Sequence, residues 1–325
     1  MQEGVVVKLD RGYPLVQLPD GSTIRCEHAT SLVKQKTDRA VIGDRVRVNY
    51  PEGHEKGIIE AICPRTTCFV RKDPTERALP QTLASNFDLV LIAQPVEEVN
   101  FKRLERELVL AHETGAKVAV VLTKADLAQE NDRFEAICDR VRALVGADPV
   151  LVVNQEDHSS IDAVARLIAQ DNNTAVLIGR SGVGKSSLVN LLVGEDIQRT
   201  TPVRASDGKG RHTTVSREII PLPKGGSIVD MPGVRGLGLW DAEAGIKATF
   251  SEIEELAQRC KFRDCAHDRE AGCAVREAVA EGALAPERLE SYLRLKQENE
   301  EVHTKRIEAE RIRERRGHPR HRGGK

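Results

Sequence analysis

Eight consecutive residues, Gly179-Arg180-Ser181-Gly182-Val183-Gly184-Lys185-Ser186, have the types and spacing of a phosphate cradle, G-x-x-x-x-G-K-[ST]. Glycines at fixed offsets let backbone N–H groups close around oxygen atoms without Cβ clashes. A helix starting at the end of such a loop adds positive potential from its N-terminus. Lys185 would reach the β- and γ-phosphates, and Ser186 would hold Mg²⁺, with Ser187 next in the first helical turn. The flanks agree with that chemistry. Ala175-Val176-Leu177-Ile178 is an apolar run of strand length, and Ser187-Leu188-Val189-Asn190-Leu191-Leu192 carries no Gly or Pro to interrupt a helix.

Two further stretches address the rest of a nucleotide. Asp230-Met231-Pro232-Gly233 follows the strand-like Ser227-Ile228-Val229. Asp230 can hold Mg²⁺ through water, and Gly233 can offer its N–H to a γ-phosphate. Thr123-Lys124-Ala125-Asp126 follows the apolar run Val118–Leu122 and resembles the guanine-reading motif N-K-x-D of GTPases, with Thr123 where Asn is usual. In that motif the Asp, here Asp126, accepts from guanine N1–H and the N2 amino group, while the Lys stem, here Lys124, lies along the base. Guanine is therefore expected over adenine. After Val153, where a GTPase shows a short S-A-[KL] stretch touching the base through its backbone, this chain has Asn154-Gln155-Glu156-Asp157.

The order is unusual. The base-reading motif precedes the phosphate loop by about fifty residues, whereas an ordinary GTPase has the phosphate loop first. The same sheet forms if the old termini are joined and new ones are opened at the surface, because termini usually lie close together. The order therefore predicts a circularly permuted GTPase domain.

Residues Arg204 to Thr214 are polar, Gly-containing and long for a connection, as a function-bearing loop is. Thr213 and Thr214, with preference for Thr214, are candidates to cap Mg²⁺ and sense the γ-phosphate. Many GTPases place a Gln after D-x-x-G to orient the attacking water; this chain has Val234, which cannot. His212 is the candidate in its place, since a neutral imidazole accepts from water. The alternative is that His212 packs or binds an anion. Slow intrinsic turnover raised by a partner is expected.

Cys260, Cys265, His267 and Cys273 form C-x₄-C-x-H-x₅-C. Three thiolates and an imidazole make a closed tetrahedral Zn²⁺ site with no open position, so the zinc should be structural. The segment has little apolar content, so metal would stand in for a core. Residues 274–284 and 286–316 read as helices, with Pro286 in the first turn. From Arg311 to Lys325 there are seven Arg or Lys residues against one Glu, a tail suited to phosphate contacts or to solubility alone.

The elements that must position these groups are legible as periodicity. Asp88–Ala93, Val118–Leu122, Pro149–Val153 and Ala175–Ile178 are apolar runs of strand length. Between them, apolar residues recur at helical spacing: Leu104, Leu108 and Ala111; Phe134, Ile137, Val141 and Leu144; Ile161, Val164, Ala165 and Ile168. Such alternation predicts a parallel sheet covered by helices, with ligands at the carboxyl ends of its strands. The first sixty residues instead show about five short strands separated by turn signals. An OB-fold barrel is expected, with an SH3-like barrel as runner-up. Arg25, Lys34, Lys36, Arg39, Arg45 and Arg47 are its candidate RNA contacts, or else a solvated face. The domains expected are 1–63 barrel, 64–85 linker rich in Pro and charge, 86–244 permuted GTPase, and 245–325 zinc-binding helical domain with basic tail.

Composition narrows the partners. Net charge is −1, so any basic surface is local, and 3% aromatic content argues against base stacking as the main recognition device. Seven cysteines, no apolar run of 18 residues and a start unlike a signal peptide predict reduced thiols in the cytoplasm and no membrane partner. A monomer is expected.

Together, the barrel, T-K-x-D, G-x-x-x-x-G-K-S, Gly210-Arg211-His212-Thr213-Thr214, Asp230-Met231-Pro232-Gly233-Val234-Arg235 with Gly238-Leu239-Trp240, and the Cys/His cluster resemble one bacterial family. It is the circularly permuted, small-ribosomal-subunit-dependent GTPase family of RsgA type, and the resemblance covers about residues 1–300. It implies a multidomain chain: an amino-terminal OB-fold β-barrel, a central α/β P-loop GTPase domain, and a carboxy-terminal α-helical zinc-binding domain. It also implies GTP/GDP, Mg²⁺ and one structural Zn²⁺, a catalytic role for His212, and late maturation of the 30S subunit with subunit-stimulated hydrolysis. The rivals are a permuted GTPase of the large subunit, a nucleotide-stabilised RNA-binding scaffold, and an ATP-using P-loop enzyme.

Overall fold

Alternation of apolar and polar side chains shapes the first domain. Its strands are β1 (Gln2–Asp10), β2 (Tyr13–Gln17), β3 (Thr23–His28), β4 (Arg45–Asn49) and β5 (Gly57–Ile62), with helix α1 (Thr30–Lys34) between β3 and β4. The computed structural model of the chain describes residues 1–10, 13–34, 39–50, 53–72, 80–128, 132–195, 217–231 and 238–317. β1 pairs with both β2 and β4, β2 with β3, and β5 with β4, all antiparallel, while β3 and β5 run parallel. The ring 1-2-3-5-4-1 is a closed barrel with OB-fold strand order, not the SH3-like alternative. Val6, Val16, Cys26, Val46, Val48 and Ile59 fill it. The same alternation turns Arg45 and Arg47 outward, and Arg25 and Arg39 are exposed as well.

Residues 64–85 contain two paired strands, β6 (Cys68–Lys72) and β7 (Pro80–Ser85). Their Pro and charge content hid the strands, which bury Phe69 and the consecutive Leu83 and Ala84. The fully buried carboxylate of Asp44 ties this stretch to the barrel. Arg65 donates to it from Nε at 2.7 Å and Nη2 at 2.8 Å, Ser85 Oγ at 2.6 Å, and the Val41 N–H at 2.8 Å. A buried charge persists only when its lone pairs are satisfied in this way.

The strand–helix alternation then builds a layered α/β domain. Its strands are β8 (Leu89–Pro95), β9 (Lys117–Thr123), β10 (Val150–Val152), β11 (Thr174–Ile178), β12 (Arg217–Pro221) and β13 (Ser227–Asp230). Its helices are α2 (Phe101–Glu113), α3 (Asp132–Val145), α4 (His158–Ala169) and α5 (Lys185–Val193). The order across the sheet is β10-β9-β8-β11-β13-β12, parallel except for β12. β8 and β9, covered on both faces, are almost wholly buried apolar residues, as parallel strands must be. The expected faces of α2 and α4 are buried. On α3 the buried line is Cys138, Val141 and Val145, so Phe134, Ile137 and Leu144 sit half-buried at its margin. The free edge of β12 is taken by β1 of the barrel, Lys8 opposite Glu218 and Leu9 opposite Arg217, so the two sheets are continuous. Lys8 Nζ lies 2.6 Å from Glu218 Oε2 at this seam.

The chain divides into two compact units: residues 1–70 with 82–235, and residues 71–81 with 236–325. In the second, α6 (Glu243–Thr249), α7 (Ser251–Ala257), α8 (Ala274–Ala280) and α9 (Pro286–Gly317) surround a small core. Phe250 and Tyr292 meet edge to face with centroids 5.6 Å apart, beside buried Ile253, Val275 and Leu295. α9 begins at Pro286 as expected, whereas α8 stops at Ala280, just before Gly282 turns left-handed at φ +77°. Among the described residues no helix is long and apolar enough to cross a membrane.

Candidate functional site

The phosphate loop leaves the buried centre of the sheet. β11 is paired with β8 through Ile178 and Ile92, and with β13 through Leu177 and Asp230. Gly179 follows at φ +143°, and a Cβ there would stand 2.6 Å from the Ala93 carbonyl oxygen. Only glycine fits both the backbone and the space. Gly184, at φ +97°, then turns the chain into α5. Asn100 caps α2 and Asp157 caps α4 through their side chains, but α5 has no side-chain cap. The start of α5 thus presents its helix dipole toward the loop, as an anion-binding helix start does. Lys185 Nζ donates to the carbonyls of Gly179 at 2.8 Å and Arg180 at 2.9 Å, folding the ammonium over the cradle. Arg180, Ser181 and Gly182 form its exposed rim, Val183 is buried, and Ser186 and Ser187 are half-buried.

The residues expected to read the base come off neighbouring strand ends. Thr123 ends β9 and is buried; its hydroxyl donates to the Val183 carbonyl at 2.5 Å, with the Gln94 carbonyl at 3.2 Å. Lys124 takes a left-handed conformation, φ 60° and ψ 33°, which swings Ala125 and Asp126 back over the sheet end. Ala125 N–H donates to the Val153 carbonyl at 3.1 Å, and Gln155 N–H to Asp126 Oδ1 at 3.3 Å. The segment after Val153 thus meets the motif through the main-chain N–H of Gln155, which bonds the Asp126 carboxylate. A pocket lined by Thr123, Lys124, Val153, Gln155, Gly184 and Ser187 lies between these loops, floored by Leu188 and Leu191. Its walls come from three stretches far apart in sequence, and its place at the carboxyl ends of the strands is where α/β sheets bind ligands.

Two buried polar side chains behind these loops escaped sequence reasoning. Gln94 Nε2 donates to Glu107 Oε2 at 2.5 Å, and Arg103 Nε donates to Glu107 Oε1 at 2.8 Å. Burial pushes the Glu107 carboxyl up from its ordinary value, against the opposing pull of Arg103. In the sequence, Glu107 reads as one more charge on an amphipathic helix.

Of the remaining expected residues, Asp230 ends β13, one strand from the phosphate loop, and its backbone alone is described. His212, Thr213, Thr214, Gly233 and Val234 lie outside the described residues, as do Lys36 and the tail from 318 onward. Ser186, in the first turn of α5, and Asp230, the last residue of β13, are hard oxygen donors of the kind Mg²⁺ takes.

The second unit carries the other cluster. One ligand atom from each of Cys260, Cys265, His267 and Cys273 falls within 4.8 Å of all the others. Cys260 Sγ lies 3.9 Å from Cys273 Sγ and 3.6 Å from His267 Nδ1, which is 3.4 Å from Cys273 Sγ. A tetrahedron with Zn–S bonds of about 2.3 Å has S···S edges of about 3.8 Å, so the donor set is compatible with zinc. His267 reaches in through a left-handed backbone, φ 60°. Glu270 holds the turn, accepting the N–H groups of Ala266 at 2.9 Å, Asp268 at 3.0 Å and Arg269 at 3.0 Å, and these bonds bring its carboxyl down to about 2. Burial, with Lys296 nearby, lowers the His267 pKa and favours the neutral imidazole a metal requires.

This architecture has counterparts. The model of a family described as RsgA GTPase matches residues 62–240. A small ribosomal subunit biogenesis GTPase RsgA of Streptomyces avermitilis is 41% identical over 300 residues, 92% of this chain and 80% of its own. One of Methanosarcina acetivorans is 38% identical over 282 residues, 84% of this chain and 75% of its own. Among solved structures, YjeQ from Thermotoga maritima superposes with TM-score 0.67 at 25% identity, covering 92% of this chain and 98% of that one. YloQ, a circularly permuted GTPase, superposes with TM-score 0.66 over 93% of this chain and 96% of its own, and at 23% identity bears on the fold alone.

Proposed function

We propose, from the premise that this chain belongs to the RsgA GTPase family and is a GTP hydrolase, that it binds the small (30S) ribosomal subunit and its rRNA and assists late maturation. It hydrolyses GTP faster when bound there and then leaves. The observation that carries this reading is the extent of the likeness: relatives bearing the small-subunit name align over 92% of the chain, so the likeness runs well beyond the GTPase core into the flanking segments. It acts as a cytoplasmic monomer.

The residues divide the work. Asp126 accepts from the guanine edge, the Lys124 stem lies along the base, and Thr123 and Ala125 hold the loop in register. The backbone of Gly179 through Gly184 and the uncapped start of α5, with Ser187, surround the phosphates. Lys185 exchanges the carbonyls of Gly179 and Arg180 for phosphate oxygens. Ser186, Thr214 and Asp230 would hold Mg²⁺, which supplies charge neutralisation at the phosphates when bound. Thr213 and Gly233 bracket the γ-phosphate. His212 orients the attacking water, since Val234 cannot. Cys260, Cys265, His267 and Cys273 would hold one structural Zn²⁺ that braces the helical unit.

Incomplete water positioning within the chain is the reason a partner raises turnover: the subunit stabilises the reactive arrangement of 204–214. The test is GTP turnover by the protein alone, with 30S subunits and with 50S subunits. Strong stimulation by 30S only is expected. Equal stimulation by 50S would point to the large subunit, and none by either, with GTP still bound, to a scaffold.

A further inference from the structure

We infer that Glu107, through its pair with Gln94, is a positioning residue for the guanine-nucleotide site, fixing the strand end on which both the phosphate loop and the base-reading loop rest. The inference builds on the assignment of 179–187 and 123–126 to nucleotide binding.

The strand end in question is Ala93-Gln94, at the carboxyl end of β8. The Ala93 carbonyl sits beneath Gly179, where a Cβ would come within 2.6 Å of it. The Gln94 carbonyl lies 3.2 Å from the Thr123 hydroxyl, which donates to Val183 in the phosphate loop. Two adjacent carbonyls thus set the height of one loop and help set the register of the other. The two loops are themselves joined through Thr123 and Val183, so a shift of this strand end is felt by both.

Beyond the backbone ladder to β9, this strand end is anchored by the side chain of Gln94, only 2% exposed, whose amide donates at 2.5 Å to a carboxylate that is 0% exposed. Glu107 in turn is fixed by Arg103, four residues earlier on α2, at 2.8 Å. The start of α2 is pinned by Asn100, which accepts the Arg103 N–H at 3.0 Å. A chain of short, directional bonds therefore runs from a capped helix start to the nucleotide loops. An apolar residue would pack against β8 without the desolvation cost of a buried carboxylate, so packing alone does not account for Glu107. An acceptor does, because it dictates which way the Gln94 amide faces. The Lys185 charge also acts on Glu107 and opposes the effect of burial.

The test uses the full-length protein and equilibrium titration with GDP and GTP, beside thermal unfolding and steady-state GTP turnover. Glu107→Gln keeps the shape and removes the charge and the obligate acceptor. It is expected to weaken GDP and GTP by a similar factor, about tenfold, the worth of one buried charge-assisted hydrogen bond. At saturating GTP, kcat is expected to change little, since the pair holds the site and touches no reacting atom. The exchanged pair, Gln94→Glu with Glu107→Gln, reverses donor and acceptor across the same contact and is expected to restore most of the affinity. Unchanged affinity in Glu107→Gln, with or without a lower unfolding temperature, would make Glu107 a purely structural anchor and overturn the inference. So would weakened binding that the exchanged pair does not restore. Wild-type protein that bound adenine and guanine nucleotides equally would overturn the site assignment as well, which separates the two failures.

Discussion

The Thr123 hydroxyl and the Val183 carbonyl meet at 2.5 Å, across sixty residues of sequence, and join the proposed base-reading loop to the phosphate loop. Thr123 stands where GTPases usually have Asn, yet it still ties the two loops together. Thr123→Val removes the donor that the Val183 carbonyl accepts, a loss of about 1–3 kcal/mol. The expected outcome is GDP binding weakened about tenfold or more, with Thr123→Ser close to wild type. Equal affinity for the Val and Ser variants in a fluorescent-GDP titration would refute the tether.

Gly179 is fixed by backbone and space together. Gly179→Ala places a methyl 2.6 Å from the Ala93 carbonyl at φ +143°. Strain of this kind costs about 1–3 kcal/mol, and the loop must shift to relieve it. Nucleotide binding is expected to fall below detection by calorimetry while the folded protein persists at a lower unfolding temperature. Retained tight binding would show that the loop tolerates the shift.

The Cys/His cluster predicts metal content and its consequence. Purified protein should carry about one zinc per chain by elemental analysis. Cys265→Ser or a strong chelator should remove it and unfold the helical unit, read as lost helical circular dichroism, because the metal's binding energy is folding energy there. Full helicity after complete metal removal would make the zinc dispensable.

His212 lies outside the described residues, and its role is a matter for kinetics. His212→Ala should lower 30S-stimulated kcat about 10²-fold, within the usual range for a lost general base or water-positioning group, and leave GTP affinity intact. A kcat within a factor of about two of wild type would remove His212 from the mechanism.

His28 makes the barrel sensitive to acid. Its Nε2 accepts the Ala40 N–H at 2.9 Å, and burial, aided by the nearby Arg39 charge and opposed by Asp44, lowers its pKa. A depressed histidine pKa contributes stability that is present above the unfolded value, about 6.5, and is lost as pH falls through the lower folded value. Between pH 7.5 and pH 5.5 the wild-type unfolding temperature should therefore drop more than that of His28→Gln. Parallel profiles would assign the acid sensitivity elsewhere.

The sequence by itself determined whatever depends on a few neighbouring residues. Gly179 through Ser186 specify a phosphate loop because left-handed backbone and uncrowded N–H groups are local demands that glycine meets wherever the loop sits. Cys260, Cys265, His267 and Cys273 are close enough in sequence for spacing alone to bring them together. Apolar periodicity gave the strands and helices of the α/β domain, and motif order alone identified the permutation. Only the tertiary structure decided contacts between distant residues. Thr123 finds Val183, Gln94 finds Glu107, and Asp44 gathers Arg65 and Ser85 because the sheet order brings their strands and loops side by side. The same holds for β1 closing the edge of β12 and for the β6–β7 pair inside a stretch that reads as linker. Each of these side chains, taken alone, resembles an ordinary surface polar residue; its burial and its partner exist only once remote segments have packed.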